Sequence, residues 1–145
     1  MLRLMRSFPL LLFAILLYNA IASFNAFDGA GTQAWLLKAV PLKMFSGEIW
    51  NLSLGDLVVL IALSLLFVEV IKATGTAVVE VINHALSMLV FIVALIEFIT
   101  LQAFATSVFF FITAMALFDI VAGFTISIVA AKRDLGLAGG VIGSN

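Results

Sequence analysis

Asp119, His84, Glu69, Glu80 and Glu97 are side chains that bind and release protons, and each stands within or beside a run of apolar residues. A carboxylate placed in hydrocarbon costs on the order of 2.5–3.5 kcal/mol on insertion scales, so each must face protein or water and take a partner. Asp119 is the sharpest case. It comes twelve positions after Ser107 and thirteen before Lys132, which at about 1.5 Å per residue sets it about 18 Å from either end of its apolar segment. Ala116, Asp119, Gly123 and Ser127 recur at three- and four-residue spacing, a small and polar face that admits another helix closely. The expectation is that Asp119 points into a bundle or an oligomer interface. In the first apolar segment Asn19, Ala22, Ser23 and Ala26 form a comparable stripe, and Asn19 lies nine residues from Asp28. An Asn19–Asp119 hydrogen bond is therefore the expected pair, with a neutral acid donating to the amide. Such a bond serves either to glue two helices or, as a mid-membrane acid, to relay a proton or cation.

A second polar group is expected at the cytoplasmic ends of two helices, where Glu69, Lys72, Glu80, Asn83 and His84 converge. Glu69 and Lys72 are spaced i,i+3 and Glu80 and His84 i,i+4, so each pair can be satisfied locally as an interfacial salt-bridge cluster. The functional alternative makes His84 a proton acceptor tuned by Glu80. Glu97 shares a face with Asn83 and Val90, with Ser87 and Ala94 beside it; that face is expected to turn inward, with Glu97 near the outer end, snorkelling or bonding the preceding outer segment. If Glu97, Asp119 and the Glu69/His84 group shared one cavity, they would form a ladder of protonatable groups across the membrane. One histidine and no cysteine cannot supply a zinc ligand set, a carboxylate site for a hard cation is the remaining metal chemistry, and no cofactor is expected. The sequence has no GxxxxGK[ST], HExxH or GxSxG pattern, so an enzyme is not expected.

These residues are held by elements that composition identifies at once. The chain has 145 residues, 65% hydrophobic and 10% charged, with a mean hydropathy of +1.31, the make-up of a membrane protein. The net charge of −1 gives no basic patch for nucleic acid, and the absence of cysteine excludes disulfides and thiol chemistry. Four apolar segments of near-spanning length, about 8–26, 54–73, 77–101 and 107–131, predict an all-α polytopic membrane protein with a single transmembrane domain. Ser53-Leu54-Gly55-Asp56 has the spacing of an N-cap with an acidic N3 residue and starts the second segment; a cap is also a better use of Ser53 than the glycosylation sequon Asn51-Leu52-Ser53. The short break Thr74-Gly75-Thr76 predicts that the second and third segments form an antiparallel hairpin.

Between the first two segments, residues about 32–50 interleave Trp35, Val40, Leu42, Phe45 and Trp50 with Lys38, Lys43 and Glu48, and Pro41 interrupts any long helix. This pattern predicts an interfacial segment anchored by Trp35 and Trp50 on the outer face. Arg3, Arg6, Lys72, Lys132 and Arg133 on one side against Lys38 and Lys43 on the other place both termini in the cytoplasm. A rival reading of the first segment is a cleaved signal peptide, with Arg3 and Arg6 as its n-region and Ala20-Ile21-Ala22 as its cleavage site. The glycine-bearing residues 134–145 are expected to be a flexible tail.

One apolar segment, an outer loop with two tryptophans, a hairpin bearing Phe67-Val68-Glu69 and Asn83-His84-Ala85, and a last segment ending in Ala131-Lys132-Arg133 together resemble small four-helix bacterial inner-membrane proteins. More loosely, the chain resembles the phosphate-starvation-inducible E family, and the likeness implies an inner-membrane location. Small multidrug transporters also have four spans, but they carry their essential acid in the first, where this chain has none. The leading functional expectation is a non-catalytic accessory or scaffolding subunit of a larger membrane assembly, with other membrane subunits or a second copy as partners. The alternative is a small homo-oligomeric proton-coupled transporter or channel that uses Asp119.

Overall fold

A computed structural model describes residues 8–28, 31–73 and 78–142. Helix α1, Leu11–Asp28, begins after Pro9, whose fixed φ suits a first helical turn; that turn is closed tightly by Leu12 N–H to the Pro9 carbonyl at 3.2 Å and Phe13 N–H to the Leu10 carbonyl at 3.0 Å. Leu11, Ala14, Ile15, Tyr18 and Ala22 make its buried stripe, the three- and four-residue spacing that brings side chains onto one helix face. A five-residue helix α2, Thr32–Leu36, follows.

The outer segment then departs from the all-α expectation. Strands β1, Ala39–Lys43, and β2, Ile49–Ser53, pair antiparallel with Val40 opposite Leu52 and Leu42 opposite Trp50. Those four residues alternate with Ala39, Pro41, Asn51 and Ser53, so the loose apolar spacing of the sequence is a period of two and not a helical one. Pro41 fits because each strand of a two-stranded sheet has an open edge. The turn closes through Met44 N–H to the Glu48 carbonyl at 2.9 Å and Gly47 N–H to the Met44 carbonyl at 3.0 Å, with Gly47 at φ 92°, where a side chain would be strained. A lone hairpin is marginal in water; here Leu54 N–H bonds the Lys38 carbonyl at 2.9 Å and β2 runs straight into the next helix. Trp35 is half-buried against the core, whereas Trp50 is exposed on β2.

Helix α3, Leu54–Lys72, starts with the capping box that the sequence predicts: Ser53 Oγ accepts from Asp56 N–H at 3.0 Å and Asp56 Oδ2 accepts from Ser53 N–H at 2.9 Å. Helix α4, Val78–Thr100, a 3-10 turn, Gln102–Phe104, and helix α5, Ser107–Ile142, complete the chain. Thr106 caps α5 by accepting from Phe109 N–H at 3.2 Å. Helix α5 runs on to Ile142, so residues 134–142 are helical where a flexible tail is expected from the sequence. Gly136, Gly139 and Gly140 each favour helix by about 1 kcal/mol less than alanine, but propagating a formed helix is far easier than nucleating one, and Leu135, Leu137 and Ala138 between them are good helix formers.

Helix α5 is the hub, packing along α4, α3 and α1. Among the described residues α3 and α4 each pack more extensively on α5 than on each other and meet where Asn83 bonds Glu69; the turn of the expected hairpin, Thr74-Gly75-Thr76, lies outside the described residues. Ala62, Ala94 and Ala116, each almost fully buried, let α5 approach both arms closely. Helices α3, α4 and α5 contain stretches long and apolar enough to cross a membrane, and Leu11–Asn25 of α1 is a shorter apolar helix. Their outer surfaces carry exposed leucine, isoleucine, valine and phenylalanine, the composition of lipid-facing surface.

Gly55 is a wedge point among α2, α3 and α5, for a Cβ there would stand 2.8 Å from Val108 Cγ2 and 3.4 Å from the Leu36 carbonyl. Gly55→Ala is expected to lower the thermal unfolding midpoint in mild detergent, at a cost of about 1–3 kcal/mol for overpacking. An unchanged midpoint would mean that Val108 turns away freely.

Candidate functional site

Glu69, in the last turn of α3, is fully buried and collects donors from three helices. Its Oε2 accepts from Leu10 N–H at 2.8 Å, at the start of α1, and Lys72 Nζ stands 3.2 Å from both oxygens. Asn83 Nδ2, near the start of α4, donates to Oε1. Lys72 also donates to the Phe8 carbonyl at 3.1 Å. The arrangement follows from local structure: the first N–H groups of a helix lack intrahelical acceptors and carry the positive end of its dipole, so a carboxylate is a natural partner. Of the expected cytoplasmic-end group, Glu69, Lys72 and Asn83 therefore meet, and the Glu69–Lys72 pair forms at its i,i+3 spacing. The Glu80 side chain, and with it the Glu80–His84 pair, lies outside the described residues.

Asp119 does not bond Asn19. Asn19 Nδ2 donates instead to Glu97 Oε2 at 3.1 Å and to the Ile15 carbonyl at 3.1 Å. The physical reason is vertical register. Leu10 sits at the level of Glu69, so Asn19, nine residues further along α1, reaches the outer part of α4, while Tyr18 beside it bonds Thr106 Oγ1 at 2.6 Å and the Ala103 carbonyl at 3.1 Å. Counting depth from Asp28 misplaces Asn19 because α1 extends beyond the outer ends of its neighbours.

Asp119 joins the Glu69 and His84 region instead, whereas its spacing from Ser107 and Lys132 predicts a separate mid-membrane site. It is almost completely buried, close enough to Glu69, His84 and Lys72 for charge–charge interaction, with the Ser87 hydroxyl turned toward it. The inward face expected for Asn83, Ser87 and Ala94 is present, all three being buried. Opposite it, Gly123 presents bare backbone to the imidazole of His84: a Cβ at 123 would collide with Cε1, Nδ1 and Nε2. Phe124 flanks the ring at 5.8 Å between centroids. The pairs Phe98 with Phe110, Ser87 with Asp119 and His84 with Gly123 give α4 and α5 one antiparallel register, in which Ser127 follows one turn beyond Gly123.

The polar residues thus divide into two kinds. Every oxygen of Glu69 is bonded, yet Asn83 Oδ1, both nitrogens of His84, Ser87 Oγ, both oxygens of Asp119 and Ser127 Oγ are buried without a hydrogen-bond partner. Among the described residues no other buried side-chain nitrogen or oxygen is left so, and all of these lie on α4 and α5. Each such group left without a partner costs about 1–3 kcal/mol, which sets the α4–α5 seam apart from the bonded Glu69 node. Glu97 stands apart with Asn19, about 15 Å along α4 from Ser87, so the expected ladder does not run through it. Sequence spacing had located Asp119, Gly123 and Ser127 on one face; the orphaned Ser87 and the Gly123–His84 contact carried no signal beyond their residue types.

No group of three or more histidine, cysteine or acidic side chains able to hold a metal ion occurs among the described residues. Compared with known protein families, curated proteins and solved structures, the chain matches none.

Glu69→Ala removes the anion but leaves Lys72, Asn83 and the Leu10 amide in place. Unfolding in mild detergent should show a loss of about 3–5 kcal/mol, the usual cost of stranding one half of a buried pair. Adding Lys72→Met should recover part of it, whereas a double variant as unstable as the sum of the two would argue against the pairing.

Proposed function

We propose that the protein is a small proton-coupled transporter or channel of the bacterial inner membrane. It spans the bilayer four times with both termini cytoplasmic, works as a homo-oligomer, and has Asp119 as its proton-binding group. The observation that carries this reading is the contrast between the fully bonded Glu69 and the pair Asp119 and His84, where Asp119 has only a loose approach from Ser87 and the His84 ring has no hydrogen-bond partner. A residue that merely glues helices in hydrocarbon takes its partners from neighbouring helices, as Glu69 does. A group that must gain and lose a proton needs donors and acceptors left open for that exchange. Asp119 and His84 together hold one proton without net charge, either as acid and imidazole or as carboxylate and imidazolium; a second proton charges the pair, and so does loss of the first. Such a pair couples a proton to the electrostatics of the bundle core. Five cationic side chains on one side against two on the other support the orientation. The helices pack closely on Ala62, Ala94 and Ala116, and a homo-oligomer adds further surfaces from which a path can be built.

The accessory-subunit reading keeps one specific support, the Glu69 node, whose bonds are purely architectural. The mass of the intact particle isolated from native membrane separates the two: a stoichiometric larger companion favours the accessory role, and a homo-oligomer favours transport. In proteoliposomes under a potassium diffusion potential, the wild-type protein should acidify the lumen and Asp119→Asn should abolish that flux with an unchanged elution volume. Equal flux in the variant would remove Asp119 from the mechanism.

A further inference from the structure

The unbonded groups are not spread evenly about Asp119; they lie on one side of it. From Asp119 toward the end of the bundle where α3 finishes and α4 begins come Ser87, then Asn83 and His84 against Gly123, then Ser127. Toward the opposite end, Ala116, Ile112 and Phe109 of α5 and Ala94 of α4 are buried in a continuous apolar core. Thr113, the one polar side chain of α5 there, spends its hydroxyl on the Phe109 carbonyl at 2.9 Å, and the Tyr18 hydroxyl is bound at the outer loop. Some 18 Å of chain therefore separates Asp119 from Ser107, along which the described residues leave no buried donor or acceptor without a partner and the one titratable side chain of α4, Glu97, is engaged with Asn19 of α1.

Building on the proton-binding reading of Asp119, we infer that in this conformation it exchanges its proton with the α3–α4 end alone, the other end being reached only in a second conformation of the cycle, and that His84 is the relay, held in place by Gly123. Neither ring nitrogen is committed to another group, so both can take up the hydrogen bonds along which a relay works, one receiving a proton from the α3–α4 end while the other gives one up. His84 and Ser87 are three residues apart on one face of α4. The imidazolium passes a proton to the Ser87 oxygen as the Ser87 hydroxyl proton moves to the Asp119 carboxylate, leaving imidazole, hydroxyl and neutral acid. One proton has moved, and Ser87 ends as it began. Gly123 is a positioning residue, since any side chain there would push the ring off α5. Among the described residues the charged groups facing this path are Glu69 and Lys72 of α3, with His84 on α4; α1 contributes to it the Leu10 amide, which is bound to Glu69.

The test follows the infrared carboxyl band that Asp119→Asn removes, in vesicles sorted by which end of the protein faces outward. An acid pulse on the α3–α4 face should protonate Asp119 promptly, and a pulse on the other face should do so more slowly, at the rate at which the protein leaves this conformation. His84→Gln should slow the prompt response by about a hundredfold, within the range of a lost acid–base group, with the same final extent, and imidazole added on that face should restore the rate. Gly123→Ala, which keeps the histidine but displaces it, should slow the response as well and guards against a folding defect in His84→Gln. Wild-type rates in both variants, or prompt protonation from the opposite face, would overturn the relay while leaving Asp119 as the proton site. A band that never responds in the wild-type protein would instead sink the proton-binding reading itself.

Discussion

A carboxylate with no water around it must be matched donor for donor, and Glu69 meets that demand by drawing on three helices at once. The Leu10 amide fixes the first turn of α1, Lys72 secures the last turn of α3, and Asn83 brings in the start of α4. Removing a charge from water costs several kcal/mol, and only a complete set of bonds with good geometry offsets it. That all-or-nothing character is what ties these three helix ends to one height and one azimuth. Lys72, reaching on to the Phe8 carbonyl, extends the same node to the residues just ahead of α1.

The height so imposed decides what happens at the other end. With Leu10 level with Glu69, α1 delivers Tyr18 to the loop between α4 and α5 and Asn19 to Glu97. Tyr18 also packs its ring against Phe104 and Phe109 at 5.4 and 4.6 Å between centroids, so one side chain fills the core and closes the polar loop. Helix α1 is thus pinned at two levels, and between them it packs through Leu11, Ala14 and Ile15. Helix α5, seated on Ala62, Ala94 and Ala116, then meets α4 closely enough for Gly123 to touch His84.

With the architecture carried by Glu69 and Tyr18, the α4–α5 seam can hold polar groups that are not bonded. The cost is on the order of 1–3 kcal/mol for each group, tolerable only because the neighbouring nodes are saturated. Function sites in proteins commonly sit where local rules are broken and stability is supplied elsewhere. Here the division follows helix boundaries: the bonded carboxylate belongs to α3, and the unbonded one to α5.

The sequence by itself determined the environment, the helical segments and the residues that had to turn inward. Hydropathy over twenty residues outweighs any local detail, the Ser53–Asp56 capping box is set by neighbouring residues, and the spacing of Asn83, Ser87 and Ala94 or of Ala116, Asp119 and Gly123 dictates a shared helix face whatever it packs against. It did not determine partners. Asn19 to Glu97 in place of Asp119, and Asp119 beside Ser87 in place of Asn19, both depend on how far one helix slides along another, and a slide of one turn changes every pairing without changing any face. That offset is fixed by Glu69 reaching the Leu10 amide 59 residues away, a contact without local signature. The outer hairpin was hidden for a different reason: apolar residues two apart in a short run fit strand and interfacial coil alike, and only its attachment to Lys38 and α3 made the strands pair.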